Sequence, residues 1–185
     1  MSQFHITENA SQYYVHLADL HRLLRTSIIA LAVMCLFWSF FVSHIMTAWL
    51  ELLPLNTGPE NENLAIYGPF DWIEVRWSLV LVLAFTSAMP LTSILIQRFS
   101  RSGLLPSERS WFSAVLLVST ILVPLLIISV WAFAIPKLIG FAKLAGPLDG
   151  VGVSYDAASV CSLALGASWV LIVWSLTVVS IGLAR

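Results

Sequence analysis

Two short polar stretches carry most of the chemistry that this 185-residue chain offers. His16–Arg22 reads HLADLHR, and Ser102–Arg109 reads SGLLPSER. They hold the carboxylates Asp19 and Glu108, with His16 near the first and Arg109 beside the second. A guanidinium meets a carboxylate with a two-bonded fork that an ammonium cannot reproduce. Two carboxylates at a suitable spacing therefore suit a ligand with two adjacent arginines. Taken one at a time, each stretch reads equally well as an interfacial anchor with solvated charges. In that reading Asp19 pairs with Arg22, and Glu108 with Arg101 or Arg109. No GxSxG, HExxH, Walker or dinucleotide-binding pattern is present, so no enzyme activity is expected.

The elements that must position these stretches are membrane spans. The composition is 59% hydrophobic and only 10% charged, against roughly half and a quarter in soluble domains. The excess falls into four charge-free runs, from Arg25 to Glu51, Arg76 to Arg98, Arg109 to Lys137, and Asp156 to Arg185. Each exceeds the roughly 20 residues that a helix needs to cross a ~30 Å hydrocarbon core. The expected fold is an all-α integral membrane domain of four transmembrane helices, about 27–50, 73–97, 110–136 and 158–183. A short amphipathic helix over 13–25, with Leu17, Leu20 and Leu24 on one face, precedes them. Residues 1–12 are expected to form a flexible tail. That start is too polar and acidic for a cleavable signal peptide.

Within the spans, polar groups are few. His44 lies toward the far end of the first span, and its ordinary role is a polar contact to a neighbouring helix. Pro90 and Pro124 should bend the second and third spans, and Pro136 should close the third. Ser162, Gly166 and Ser168 are short enough to let another helix approach the fourth span. Cys35 and Cys161 lie inside spans and form neither a disulfide framework nor a metal pattern. No cofactor is expected. A net charge of −1 without a basic stripe gives no reason to expect nucleic acid.

Orientation follows from the basic residues near the span ends. Arg22, Arg25, Arg98, Arg101, Arg109 and Arg185 fall on one side. The other has Arg76, Lys137 and Lys143 among seven carboxylates. Both termini and the 98–110 loop are therefore expected in the cytoplasm. The two halves share no internal repeat, which argues against an inverted-repeat transporter.

In this order and on this topology, the two polar stretches resemble those of TatC, the multispanning receptor of the twin-arginine protein translocase. HLADLHR resembles the family's H-L-x-E-L-R-x-R, and SGLLPSER resembles P-G-L-x-x-x-E-R. Looser matches follow in order: Ala65–Phe70 before the second span, Met89-Pro90 and Ile96-Gln97 within it, Phe133–Pro136 closing the third, and Val153–Ser159 before the fourth. The resemblance covers about residues 13–180. It implies a receptor in the cell membrane that binds Arg-Arg signal peptides of folded proteins through Asp19, Glu108, His16 and Arg109. The implied partners are TatA/TatB-like single-span proteins, the lipid bilayer and a possible homo-oligomer.

The chain departs from the family pattern at several points. Asp19 stands for the usual Glu, His21 for Arg, and Ser102 for Pro. Trp169-Val170 falls where many members carry Phe-Glu. Members usually have six spans, and this chain reads as a shortened form ending after the fourth. These departures leave two other readings, a degenerate TatC-like paralogue with a structural or regulatory role, and a small four-span transporter. The transporter would need a polar intramembrane path, for which only His44 and scattered hydroxyls are available.

Overall fold

The computed structural model describes residues 2–54, 64–65, 68–101, 105–144 and 155–184. No glycine or proline occurs from Ser2 to Leu53, and helix α1 runs unbroken over Ser2–Leu52. At 1.5 Å per residue that is about 76 Å, more than twice a hydrocarbon core. The expected loose tail at 1–12 is thus helical from Ser2, and the amphipathic stretch 13–25 continues into the first span without a break. Nothing in the sequence supplies a breaker before Pro54.

Prolines start the next two helices, where a missing N–H costs nothing. Helix α2 is Pro69–Ser100 and α3 is Pro106–Ser129. A π-helical turn, Val130–Ala134, leads into α4, Ile135–Leu144, and α5 is Ala157–Ala184. Strands β1 (Leu64–Ala65) and β2 (Tyr155–Asp156) pair in parallel and tie together the two connections at the end away from the chain termini. Asp156 then caps α5, accepting from the backbone N–H of Ala158 at 3.2 Å and Ser159 at 3.1 Å. Four helical stretches are long and apolar enough to cross a membrane: Leu17–Leu52, Phe70–Ser100, Glu108–Ala142 and Ala157–Gly182. The third passes through Pro136, which was expected to end it.

The π-turn accounts for that passage. Ile135 N–H donates to the carbonyl of Val130, five residues back. In the same register the next donor would be residue 136 and its acceptor the carbonyl of Trp131. Pro136 has no N–H, so that carbonyl needs another donor. It accepts from Trp49 Nε1 of α1 at 2.8 Å. A bilayer offers no water to satisfy a freed carbonyl, so a side chain from a neighbouring helix takes its place.

Three further indole bonds pin the bundle. Trp38 donates to Ser87, Trp169 to Ser78, and Trp131 to Ser168, each at 2.9 Å. The core gathers away from the chain termini. Among the described residues, the buried hydrophobics of α1 lie in its last third: Val42, Met46 and Trp49, with Leu53 just after. Helix α5 faces the bundle with a buried seam at 3–4 spacing, Ala157, Cys161, Ala164, Ser168, Ile172 and Ser175, in which all but Ile172 are small.

Candidate recognition site

Up-and-down topology puts the start of α1, the end of α2, the start of α3 and the end of α5 at one end of the bundle. Both polar stretches lie there. Asp19 is exposed on α1. His16 also lies on α1, but its side chain falls outside the described residues, as do Ser102, Gly103 and Leu104. Glu108 is the third residue of α3 and is exposed, with its neighbour Arg109.

Local structure explains Glu108. Leu105 precedes the helix in an extended conformation and Pro106 opens it. Glu108 Oε2 accepts from the Leu105 backbone N–H at 3.4 Å. Leucine has no side-chain acceptor to reciprocate, so this is half of a capping box. The carboxylate also lies where the helix dipole favours negative charge. A contact of 3.4 Å is long for a hydrogen bond and easily exchanged. Two side-chain bonds fix the base of α3 on α2, Gln97 to Ser113 at 2.6 Å and Ser93 with Thr120 at 2.7 Å.

Asp19 and Glu108 share the same end without touching. Helices α1 and α3 both pack on α2, and neither packs substantially on the other. Both groups are exposed and face outward.

Between α1 and the pair α2–α5 lies an apolar groove of about 290 Å³, lined by Leu24, Leu31, Phe85, Met89 and Ile172 among others. It opens where α1 contributes no buried residue, because the core lies nearer the other end. Motif reading missed this groove. Its signal was the Leu17, Leu20, Leu24 periodicity, which continues into Ser27, Ile28 and Leu31.

The structure divides the three small residues of α5. Ser168 is fully buried, donating to the Ala164 carbonyl and accepting from Trp131. Ser162 and Gly166 are exposed, and a Cβ added at Gly166 would meet nothing within 4 Å. They form no single face, since residues 166 and 168 lie about 200° apart on a helix. Val170 is 68% exposed and apolar. His44 is exposed on α1. It lies on the opposite side of α1 from the buried residues, in a shallow cleft with Ser43, Thr47 and Glu51. Among the described residues, no group of three His, Cys, Asp or Glu side chains could hold a metal ion.

Comparison with known proteins follows from this geometry. The sequence model of TatC, described as Sec-independent protein translocase protein, matches residues 15–184. Among solved structures, the chain is similar to a crystal structure of the twin-arginine translocase receptor TatC in DDM. The identity is 21% and the TM-score 0.68, covering 90% of this chain and 73% of that one. That likeness is one of fold. A search of curated proteins finds no match.

Proposed function

The chain belongs to the TatC family of Sec-independent protein translocase proteins, and from that premise we propose that it binds Arg-Arg signal peptides at its cytoplasmic face. The observation that carries this reading is the pair of outward-facing carboxylates, Asp19 and Glu108, at the bundle end where the apolar groove opens. A signal peptide has two chemically distinct parts, an arginine pair and an apolar run. The carboxylates would hold the guanidinium forks. The groove would take apolar side chains that follow the arginines. Charge-assisted hydrogen bonds contribute about 1.5–3 kcal/mol each, enough with the groove for a reversible encounter. His16 and Arg109 flank the two carboxylates and would orient them.

This function requires that the termini end face the cytoplasm. In a background with Cys35 and Cys161 replaced by alanine, Glu62→Cys should react with an impermeant maleimide applied from outside. Ser107→Cys should react only after permeabilisation. The reverse pattern would place both carboxylates on the wrong side for a cytoplasmic ligand.

The outward Ser162 and Gly166 of α5 are proposed as the contact for a TatA/TatB-like single-span helix, since short side chains permit close backbone approach. Gly166→Leu should leave stability within about 0.5 kcal/mol of wild type, as expected of an exposed site without contacts. It should also abolish crosslinks from position 162 to the partner helix. Retained crosslinks would show that the contact lies elsewhere. Degeneration of the receptor role is the second reading, favoured by apolar Val170 at the position of the family's intramembrane Glu.

A further inference from the structure

A second groove lies between α3 and α5, at the end away from the chain termini. It follows the π-turn, holds about 310 Å³, and is lined by Leu126, Ser129, Val130, Phe133, Lys137 and Leu171 among others. It is separate from the groove beside α1. Ser129, Phe133 and Lys137 are exposed. The order of these residues by depth says what would fit. From Arg109, near the start of α3, to Trp131 the helix rises about 33 Å, one hydrocarbon thickness. Trp131 therefore lies near the far boundary of the hydrocarbon, where indoles gather. It donates to Ser168 at 2.9 Å, which sets the same level on α5. Leu126 lies about 8 Å deeper than that level, and Leu171, on the antiparallel α5, about 5 Å deeper. Ser129 lies about 3 Å deeper, and Lys137 about 9 Å beyond it on the water side.

We propose that this groove binds one phospholipid with an anionic headgroup, drawn from the leaflet at that end. Apolar walls inside the boundary, a hydroxyl near it and an ammonium outside it repeat the polarity of such a lipid, from acyl chain to ester to phosphate. Leu126, Val130 and Leu171 hold the upper part of an acyl chain. The Ser129 hydroxyl stands at the level of the ester and donates to its carbonyl oxygen. Lys137 bends its flexible stem back toward the boundary and meets the phosphate with a charge-assisted hydrogen bond. A basic group beside a cleft between spanning helices suits an anionic headgroup in this way. An apolar helix seated in the same groove would offer nothing to Ser129 or Lys137.

The test uses the purified full chain in phosphatidylcholine nanodiscs. Each preparation contains a trace of phosphatidylglycerol or phosphatidylcholine with a diazirine in the upper part of one acyl chain. After illumination, the labelled residues are mapped by mass spectrometry. The phosphatidylglycerol probe should label Leu126, Val130 and Leu171 well above Val173 and Trp174, which are exposed on α5 at similar depth. Lys137→Gln should lower that labelling about fivefold, the contribution of one basic residue at an anionic surface. Lys137→Arg should restore it, and the phosphatidylcholine probe should label the groove weakly in all three proteins. Lys137 is exposed, so these substitutions leave the core intact. Leu171→Trp should fill the groove and remove the label from Leu126 and Val130. Labelling spread evenly over the exposed residues of α3 and α5 would overturn the proposal, since the groove would then hold only passing bilayer lipid. Groove labelling that ignores Lys137→Gln, or that is equal for the two probes, would overturn it as well.

Discussion

Replacing Trp131 with alanine is expected to destabilise the bundle by about 3 kcal/mol, more than any other single change at the end away from the chain termini. Large-to-small changes in soluble cores cost about 3–5 kcal/mol for Trp. In lipid the hydrophobic transfer contribution shrinks and lost packing dominates, so the lower end applies. Trp131 earns that rank by its connections. Its ring packs on Trp49 and its indole N–H donates to Ser168, joining α1, the π-turn and α5. Its carbonyl takes the Trp49 bond left open by Pro136. Trp131→Phe separates these contributions. Phenylalanine keeps a ring against Trp49 and the backbone carbonyl, and loses only the bond to Ser168, worth about 1 kcal/mol. Thermal unfolding in detergent should rank wild type, Trp131→Phe and Trp131→Ala in that order. Equal stability of the two variants would mean that ring packing contributes nothing.

The second large effect concerns binding. Asp19→Ala and Glu108→Ala should each weaken an Arg-Arg peptide by about 1.5–3 kcal/mol, roughly tenfold to 150-fold in Kd. Asp19 is exposed and contributes little to the fold, so Asp19→Ala should leave unfolding unchanged. Glu108 needs a finer control, because it also accepts from the Leu105 N–H at the start of α3. Losing a first-turn acid costs a helix about 0.3–1 kcal/mol. Glu108→Gln keeps an acceptor for that N–H and removes the charge. It should therefore bind as poorly as Glu108→Ala while losing only the charge–dipole contribution to stability, about 0.3–1 kcal/mol. If the glutamine variant binds normally, Glu108 serves the helix rather than a ligand. The double variant should lose less than the sum of the two, since groups at one site are coupled.

The four spans were legible because charge is excluded from hydrocarbon, and charge-free length is a direct reading of the sequence. Side was less legible than span. Ser162, Gly166 and Ser168 are all small, yet the first two face outward and the third is buried against Trp131. Smallness does not say which way a residue points. The 3–4 spacing of Ala157, Cys161, Ala164, Ser168, Ile172 and Ser175 does, and it marks the seam that packs inside the chain. Pro136 misled for a different reason. A proline ends a helix when its orphaned carbonyl finds no donor, and the donor here, Trp49, lies 82 residues away. No local pattern reveals such a partner. The groove beside α1 depends on where the core is not. His44 was expected to make a polar contact to a neighbouring helix, and the burial of Val42, Met46 and Trp49 turns it to the exposed side of α1. Asp19 and Glu108 were found through motifs, and the sequence placed both at one end of the bundle. It could not tell that both would be exposed.

The central claim is that these two carboxylates read adjacent guanidinium groups. The most direct measurement is photo-crosslinking from the arginine-pair position of a signal peptide to the membrane-embedded chain, comparing Arg-Arg with Lys-Lys peptides. Lysine carries the same charge without the fork. The account predicts strong crosslinking by Arg-Arg, weak crosslinking by Lys-Lys, and loss of the Arg-Arg signal in both Asp19→Ala and Glu108→Gln. Equal crosslinking by the two peptides, indifferent to both substitutions, would contradict it.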